Sequence, residues 1–178
     1  AIEDAGGRVL TSRPVKAVKT KGDRVVAVRH GEGSDAATLS CDFCISTVPL
    51  PILVEALEPE PPADVRASGG ALRFRPLAVY GLLVRRERVL DALYIYFRDR
   101  VFHRIAEPKN SGLEVTPGDH TVLLAEMTCA VGDDRWSGGA ETKARIVADL
   151  EAEGLLAADE VVDVHLVRSE HGYPVFEL

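Results

Sequence analysis

Positive charge is in short supply in this chain. Lysine and arginine number 21 against 28 aspartates and glutamates, which leaves a formal net charge of −7 and a pI of about 5.3. No overall basic field exists to gather phosphates, so a nucleic-acid binder is excluded. Long apolar runs are missing too. Nothing approaches the roughly 18 residues that a membrane helix needs. The opening stretch, "AIEDAGGRV", is acidic and glycine-rich and does not read as a signal peptide. It reads instead as the last turn of a helix stopping at glycine, and "GYPVFEL" closes the chain on a strand-like run. The expectation is a piece of a longer protein.

Several catalytic signatures are absent as well. There is no G-x-S-x-G elbow, which leaves nucleophilic hydrolysis without support. The histidines (His30, His103, His120, His165 and His171) are scattered without metal-type spacing and read singly as surface or strand-end residues. No metal site is expected. Neither G-x-x-x-x-G-K-[ST] nor G-x-G-x-x-G occurs, so the chain lacks a dinucleotide phosphate loop of its own. Cysteine is limited to Cys41, Cys44 and Cys129. So few suggest a reducing compartment and a cytoplasmic location. Cys41 and Cys44 form C-x-x-C, which suits a redox pair or half a zinc site. Their segment, "LSCDFCISTV", reads as a strand, where residues three apart point to opposite faces. No second C-x-x-C completes a zinc set. Structural cysteines are the simpler reading.

What is present is ordinary for a soluble globular chain of 178 residues: 46% hydrophobic and 28% charged. "GRVLTSRPVKAVKTKGDRVVAVRHG" holds two alternating stretches around a turn at Gly22 and Asp23. "ATLSCDFCISTVP" follows as a strand that ends almost continuously apolar, the pattern of burial on both faces. "LPILVEALEP" has a short helical face starting near Pro51. "EPEPPADV" is a proline-rich break and the best boundary. Beyond it come a long strand from about Leu72 to Val84, then "ALYIYFRD" and "VFHRIAEP" around a polar turn at Arg98 to Arg100. A loop and the strand "HTVLLAEMTC" follow. "GAETKARIVADLEAEGLL" is the clearest helix, with Ile146, Leu150 and Val147 on its apolar face and Gly154 placed to end it. "EVVDVHLVRSEHGYPVF" is the last strand. The fold class is α+β: a mostly antiparallel sheet with a few helices, preceded by a β-meander.

The residues with chemistry to offer are arginines and tyrosines on these strands. Arg73 and Arg75 flank Phe74, and Tyr94 and Tyr96 share a face of "YIYF". Arg104 shares its face with Phe102, and Glu107 lies opposite if the strand stays regular. Arg168 and Tyr173 come near the end. Guanidinium forks suit phosphate or carboxylate, and tyrosines offer a ring and a hydroxyl. Such strands side by side could line a pocket for an anion or a sugar. The plainer alternative is solvated strand faces with weak Arg–Glu pairs.

Two segments carry a resemblance. "GGRVLTSRPVKAVKTKGDRVVAV", with Val15 and Val18, followed by "CDFCISTVPLPILVEAL", with Asp42, Cys44, Ile45, Thr47 and Pro49, resembles the middle of FAD-dependent amine-oxidase-type flavoproteins. That group includes protoporphyrinogen oxidase, phytoene-desaturase relatives and UDP-galactopyranose mutase. "LRFR" (Leu72 to Arg75), "FHRIAE" (Phe102 to Glu107) and "YPV" (Tyr173 to Val175) are similar to elements of the substrate-binding domain. The resemblance implies an incomplete FAD-binding portion over 1–58 and a substrate-binding domain over 59–178. It implies Val15, Thr47, Val48 and Pro49 near FAD, and Arg75, Tyr96, Arg104 and Tyr173 near a small-molecule substrate. In the mutases the position of Arg104 binds an anionic diphosphate. Both FAD anchor segments of the family are missing, so the chain is expected to need the rest of that domain and neither to hold FAD tightly nor to turn over by itself. The chemistry implied is that of an oxidase, a desaturase or a sugar mutase. No catalytic residue is assigned, and a cofactor-free α+β binding module is the alternative outside this group.

Overall fold

The computed structural model describes residues 2–115 and 117–176. The fold is α+β, and the chain divides into two compact units, Ala1–Leu72 and Arg73–Leu178. This division falls beyond the proline-rich run where the sequence places its boundary.

The first unit is built on a meander of β1 (Val15–Lys21), β2 (Arg24–His30) and β3 (Ala37–Ser40). The β1–β2 turn forms at Gly22, with φ +62°, as the K-G-D signal predicts. A register shift between Val15 and Ala17 puts neighbouring residues Ala17 and Val18 both in the core. After α1 (Leu50–Glu55), a two-residue strand β4 (Leu57–Glu58) pairs parallel with β1, giving the order β3-β2-β1-β4. Pro51 sits in the first turn of α1, where a missing N–H costs nothing.

Two expectations need correction here. The continuous apolar strand through "CDFCISTV" does not form: β3 stops at Ser40, and the Cys41 N–H to Val26 carbonyl bond is its last tie to the meander. Phe43 and Ile45 are 91% and 93% exposed. Among the described residues no neighbouring strand takes the backbone hydrogen bonds of this stretch, and an apolar pattern alone cannot hold an unpaired strand. Cys41 and Cys44 therefore do not lie on a strand that would turn them to opposite faces; both thiols are free, and Cys44 is exposed. The second correction is α2 (Ala63–Ala71), which the break and its glycines conceal. A Gly inside a helix costs about 1 kcal/mol, but at Gly69 even a Cβ would press on Val54 of α1 at 3.2–3.3 Å. The close helix–helix approach selects the glycine.

The second unit is a five-stranded sheet in the order β6-β7-β8-β5-β9, every pair antiparallel: β5 (Phe74–Val84), β6 (Tyr94–Tyr96), β7 (Arg104–Ala106), β8 (Thr121–Thr128) and β9 (Val161–Pro174). One face carries Ala78, Tyr80, Leu82 and Val84 of β5, Leu123, Ala125 and Met127 of β8, and Ile105 of β7. Ile146 and Leu150 of α4 (Ala140–Ala152) join them in one core, as the helical pattern predicts, and Gly154 (φ +70°) follows its C-cap. A short helix α3 (Asp134–Ser137), not foreseen from sequence, is capped by Asp133, which accepts from the Trp136 N–H. The opposite sheet face holds Val79, Gly81, Leu83, Val122, Leu124 and Val167 around a shallow, mainly apolar trough of about 290 Å³, with Asp163 and His165 of β9 also in its lining.

Gly31 ends β2 with φ +77°, and its N–H donates to the Pro14 carbonyl at 2.9 Å, tying down the start of β1. A Cβ there would collide with the Asp35 carbonyl. Gly31→Ala is expected to destabilise the first unit by about 1–3 kcal/mol, measured as a lowered urea midpoint.

Candidate functional site

Strand alternation sorts the "FHRIAE" element. Ile105 and Glu107 point into the core; Arg104 emerges on the trough side. Register then gathers its neighbours. Tyr96 of β6 and Glu126 of β8 stand directly opposite Arg104. The Arg104 Nη2 donates to both carboxylate oxygens of Glu126 at 2.7 and 2.6 Å, and its Nη1 donates to the Tyr96 hydroxyl at 3.4 Å. The guanidinium carbon lies 5.5 and 5.8 Å from the ring centroids of Tyr94 and Tyr96, in cation–π range. Those two rings meet edge-on at 5.5 Å. From the far edge, Tyr173 of β9 donates its hydroxyl to Glu126 Oε2 at 2.9 Å. It reaches that far because β9 closes tightly on β5 at Gly172, where a Cβ would overlap Leu77 and stand 2.9 Å from the Arg75 carbonyl oxygen.

Glu126 is 7% exposed, so its charge is compensated locally by one cation and one hydroxyl. Hydrogen bonding to Glu126 raises the Arg104 pKa, chiefly, and keeps the guanidinium charged. Burial first, and the Glu126 carboxylate second, push the Tyr173 phenol up, so it remains a donor at neutral pH. His103 stacks edge-on with Tyr173 at 6.0 Å. Burial lowers its pKa, Arg104 adds to that, and Glu126 opposes it.

Three of the four residues assigned to substrate therefore meet in one hydrogen-bonded cluster: Tyr96, Arg104 and Tyr173. Arg75 stands beside Tyr173 in register but lines a separate polar cleft of about 530 Å³ with Thr128, Cys129, Asp133 and Arg135. Sequence reasoning missed Glu126, the hub. Its signal was available: one carboxylate inside the otherwise apolar "TVLLAEMT" strand needs a partner if it is buried. The other acidic residue of the element, Glu107, is fully buried and structural. It accepts from the Val89 and Leu90 N–H groups, from Thr121 Oγ1 at 2.6 Å and from Asn110 Nδ2 at 3.3 Å.

In the first unit, Val15, Thr47 and Val48 line one cleft of about 430 Å³ together with Val18, Val28, Ile52 and Leu53. Pro49 is the N-cap residue of α1. No lysine, arginine or histidine lies in that lining. Among the described residues no group of three or more His, Cys, Asp or Glu could hold a metal ion, and no helix is long and apolar enough to cross a membrane.

Solved structures share this architecture, a meander unit and an antiparallel sheet backed by a helix. Reduced UDP-galactopyranose mutase is similar at 23% identity and TM-score 0.57, over 90% of this chain and 34% of that one. A redesigned putrescine oxidase is similar at 16% and 0.56, over 92% and 36%. A putative protoporphyrinogen oxidase from Exiguobacterium is similar at 17% and 0.52, over 92% and 35%. At these identities the likeness shows the fold. The chain spans about a third of the length of these structures. The sequence matches the flavin containing amine oxidoreductases over residues 1–159, and the chain belongs to that family, whose cofactor is FAD. No curated protein matches it.

Two outcomes follow from the buried groups. Glu107→Ala would leave its donors unpaired in the core and is expected to cost about 3 kcal/mol or more, read by denaturant unfolding. For His103 the folded pKa lies below the ordinary 6.5, so the unfolded chain binds more protons just below that pH. Stability should hold above about 6.5 and fall as the pH drops through and below it. His103→Gln should flatten that part of the pH profile of the melting temperature.

Proposed function

We propose that the unit Arg73–Leu178 supplies the substrate-facing sheet of a FAD-dependent oxidoreductase, and that the first unit supplies one apolar wall of the flavin site. The observation that carries this reading is the cluster in which Arg104 and Tyr173 bond the buried Glu126 and Tyr96 bonds Arg104, on the sheet face opposite α4 and beside a mainly apolar trough. A face serving only as a solvated surface would have no reason to bury a carboxylate and order side chains from three other strands around it.

The cleft at Val15, Thr47 and Val48 suits an uncharged ring edge. Its lining fits the phosphates of FAD poorly, since no cation stands there to meet them. On this reading the cofactor is completed by parts of the family fold beyond the matched third, and this chain alone does not hold it firmly. When bound, the flavin supplies the redox chemistry. The chain's own residues shape and orient the substrate: Tyr94 and Tyr96 offer ring surface, Glu126 and Arg104 hold the tyrosines in place, and the trough takes apolar bulk. The sugar-mutase alternative loses its strongest residue, because Arg104 is engaged by Glu126. A cytoplasmic setting accords with the free cysteines.

The test separates the two sites. With FAD supplied at saturating concentration, anaerobic bleaching of the flavin is followed with a panel of primary amines and uncharged ring compounds. Tyr96→Ala should raise the half-saturating concentration of the reducing compound about tenfold without lowering flavin content, whereas Val48→Glu should lower flavin content. Unchanged saturation in Tyr96→Ala would sink the substrate-face assignment.

A further inference from the structure

We infer that Glu126 is the specificity-determining residue of this face: by neutralising Arg104 it makes the site select uncharged substrates and turn away anions. This rests on the substrate-face reading and adds to it. Arginine at a strand position facing a pocket is ordinarily an anion receptor. Here Nη2 is held by both oxygens of Glu126, Nη1 leans on the Tyr96 hydroxyl, and Nε is buried with no hydrogen-bond partner. Protein atoms close off that last N–H, so it is not offered to a ligand. The rings of Tyr94 and Tyr96 lie against the guanidinium.

The carboxylate is equally occupied. Oε1 takes Arg104, and Oε2 takes Arg104 and the Tyr173 hydroxyl. A cationic ligand would have to displace Arg104 to reach it. The charges of the cluster thus offset each other from within; the Arg104 side chain is 25% exposed, and most of the surface around it is aromatic, with Tyr94 46% and Tyr96 63% exposed. Beside it, Val79 pairs in register with Glu126 and leads into the trough floored by Gly81. A ligand with an uncharged polar end and an apolar ring or chain matches both parts. An anion would meet a guanidinium whose charge is already offset by Glu126, and such pre-paired charges are one way sites turn away wrong ligands.

Direct binding to the chain decides this, with inorganic diphosphate, n-butylammonium and indole as probes, followed by calorimetry or ligand-observed NMR. The native chain should bind indole, should not bind n-butylammonium, and should bind diphosphate at most weakly, a response that Arg104→Met should leave unchanged. Glu126→Gln keeps the side chain's shape, removes its charge and frees Arg104; it should bind diphosphate at least about tenfold more tightly than the native chain. Glu126→Asp should show no such gain, and Glu126→Gln combined with Arg104→Met should lose it. The inference is overturned if the native chain binds diphosphate through Arg104 or binds n-butylammonium, if folded Glu126→Gln gains nothing, or if the gain survives without Arg104. Should Glu126→Gln fail to fold, the Arg104→Met comparison still decides: lost diphosphate binding overturns the inference. Failure of indole to bind, or binding indifferent to Tyr96→Ala, would instead strike at the substrate-face reading, with the charge rule still judged by the diphosphate results.

Discussion

The second unit depends on one strand having two different faces. β5 runs for 11 residues between β8 and β9, and alternation sends Ala78, Tyr80, Leu82 and Val84 to the core and Val79, Gly81 and Leu83 to the trough. Because a strand's side-chain period is two, a slip of one residue would exchange the faces. Packing of Ile146 and Leu150 from α4 on one side therefore also sets the register on the other. Tyr80 extends this control: from the core face its hydroxyl donates to the Arg135 carbonyl at 2.5 Å and fastens α3. The helix-side core fixes which residues the open face can present.

Two carboxylates on or next to neighbouring strands show how environment divides roles. Glu107 is surrounded by neutral donors, the backbone N–H groups of Val89 and Leu90 and the side chains of Thr121 and Asn110, and serves as an internal cap for a connection that has no regular structure. Glu126 faces the other way and is matched with an arginine and a tyrosine. The first organises the chain for its own folding. The second organises aromatic and cationic side chains at a surface, which is where a binding function is built.

The first unit has a contrasting economy. Its meander and paired helices bury a small core of Ala17, Val18, Ala27 and Val54, while the stretch after β3 exposes Phe43 and Ile45 and contributes Thr47 and Val48 to an apolar cleft. An apolar segment with neither ladder partners nor cover is unusual for a stable surface.

Much was legible from pattern alone. The hairpin at Gly22, the long β5, the apolar face of α4 and its glycine stop follow from period-2 and period-3.6 spacing and from turn chemistry, all local properties that a single segment carries. The α+β class follows from their order. The strand expected through Ile45 and the unseen α2 went astray because each was decided by a partner: the first lacks a neighbouring strand, and the second takes its glycine from contact with Val54. The same distinction holds at the site. Tyr96, Arg104 and Tyr173 could be picked out as residues able to bind, but residues 96, 104, 126 and 173 lie far apart in the chain. Only antiparallel register places them together, and only that placement shows that Arg104 is already neutralised. Residue type determined what this face could offer; the pairing of strands decided what it leaves free.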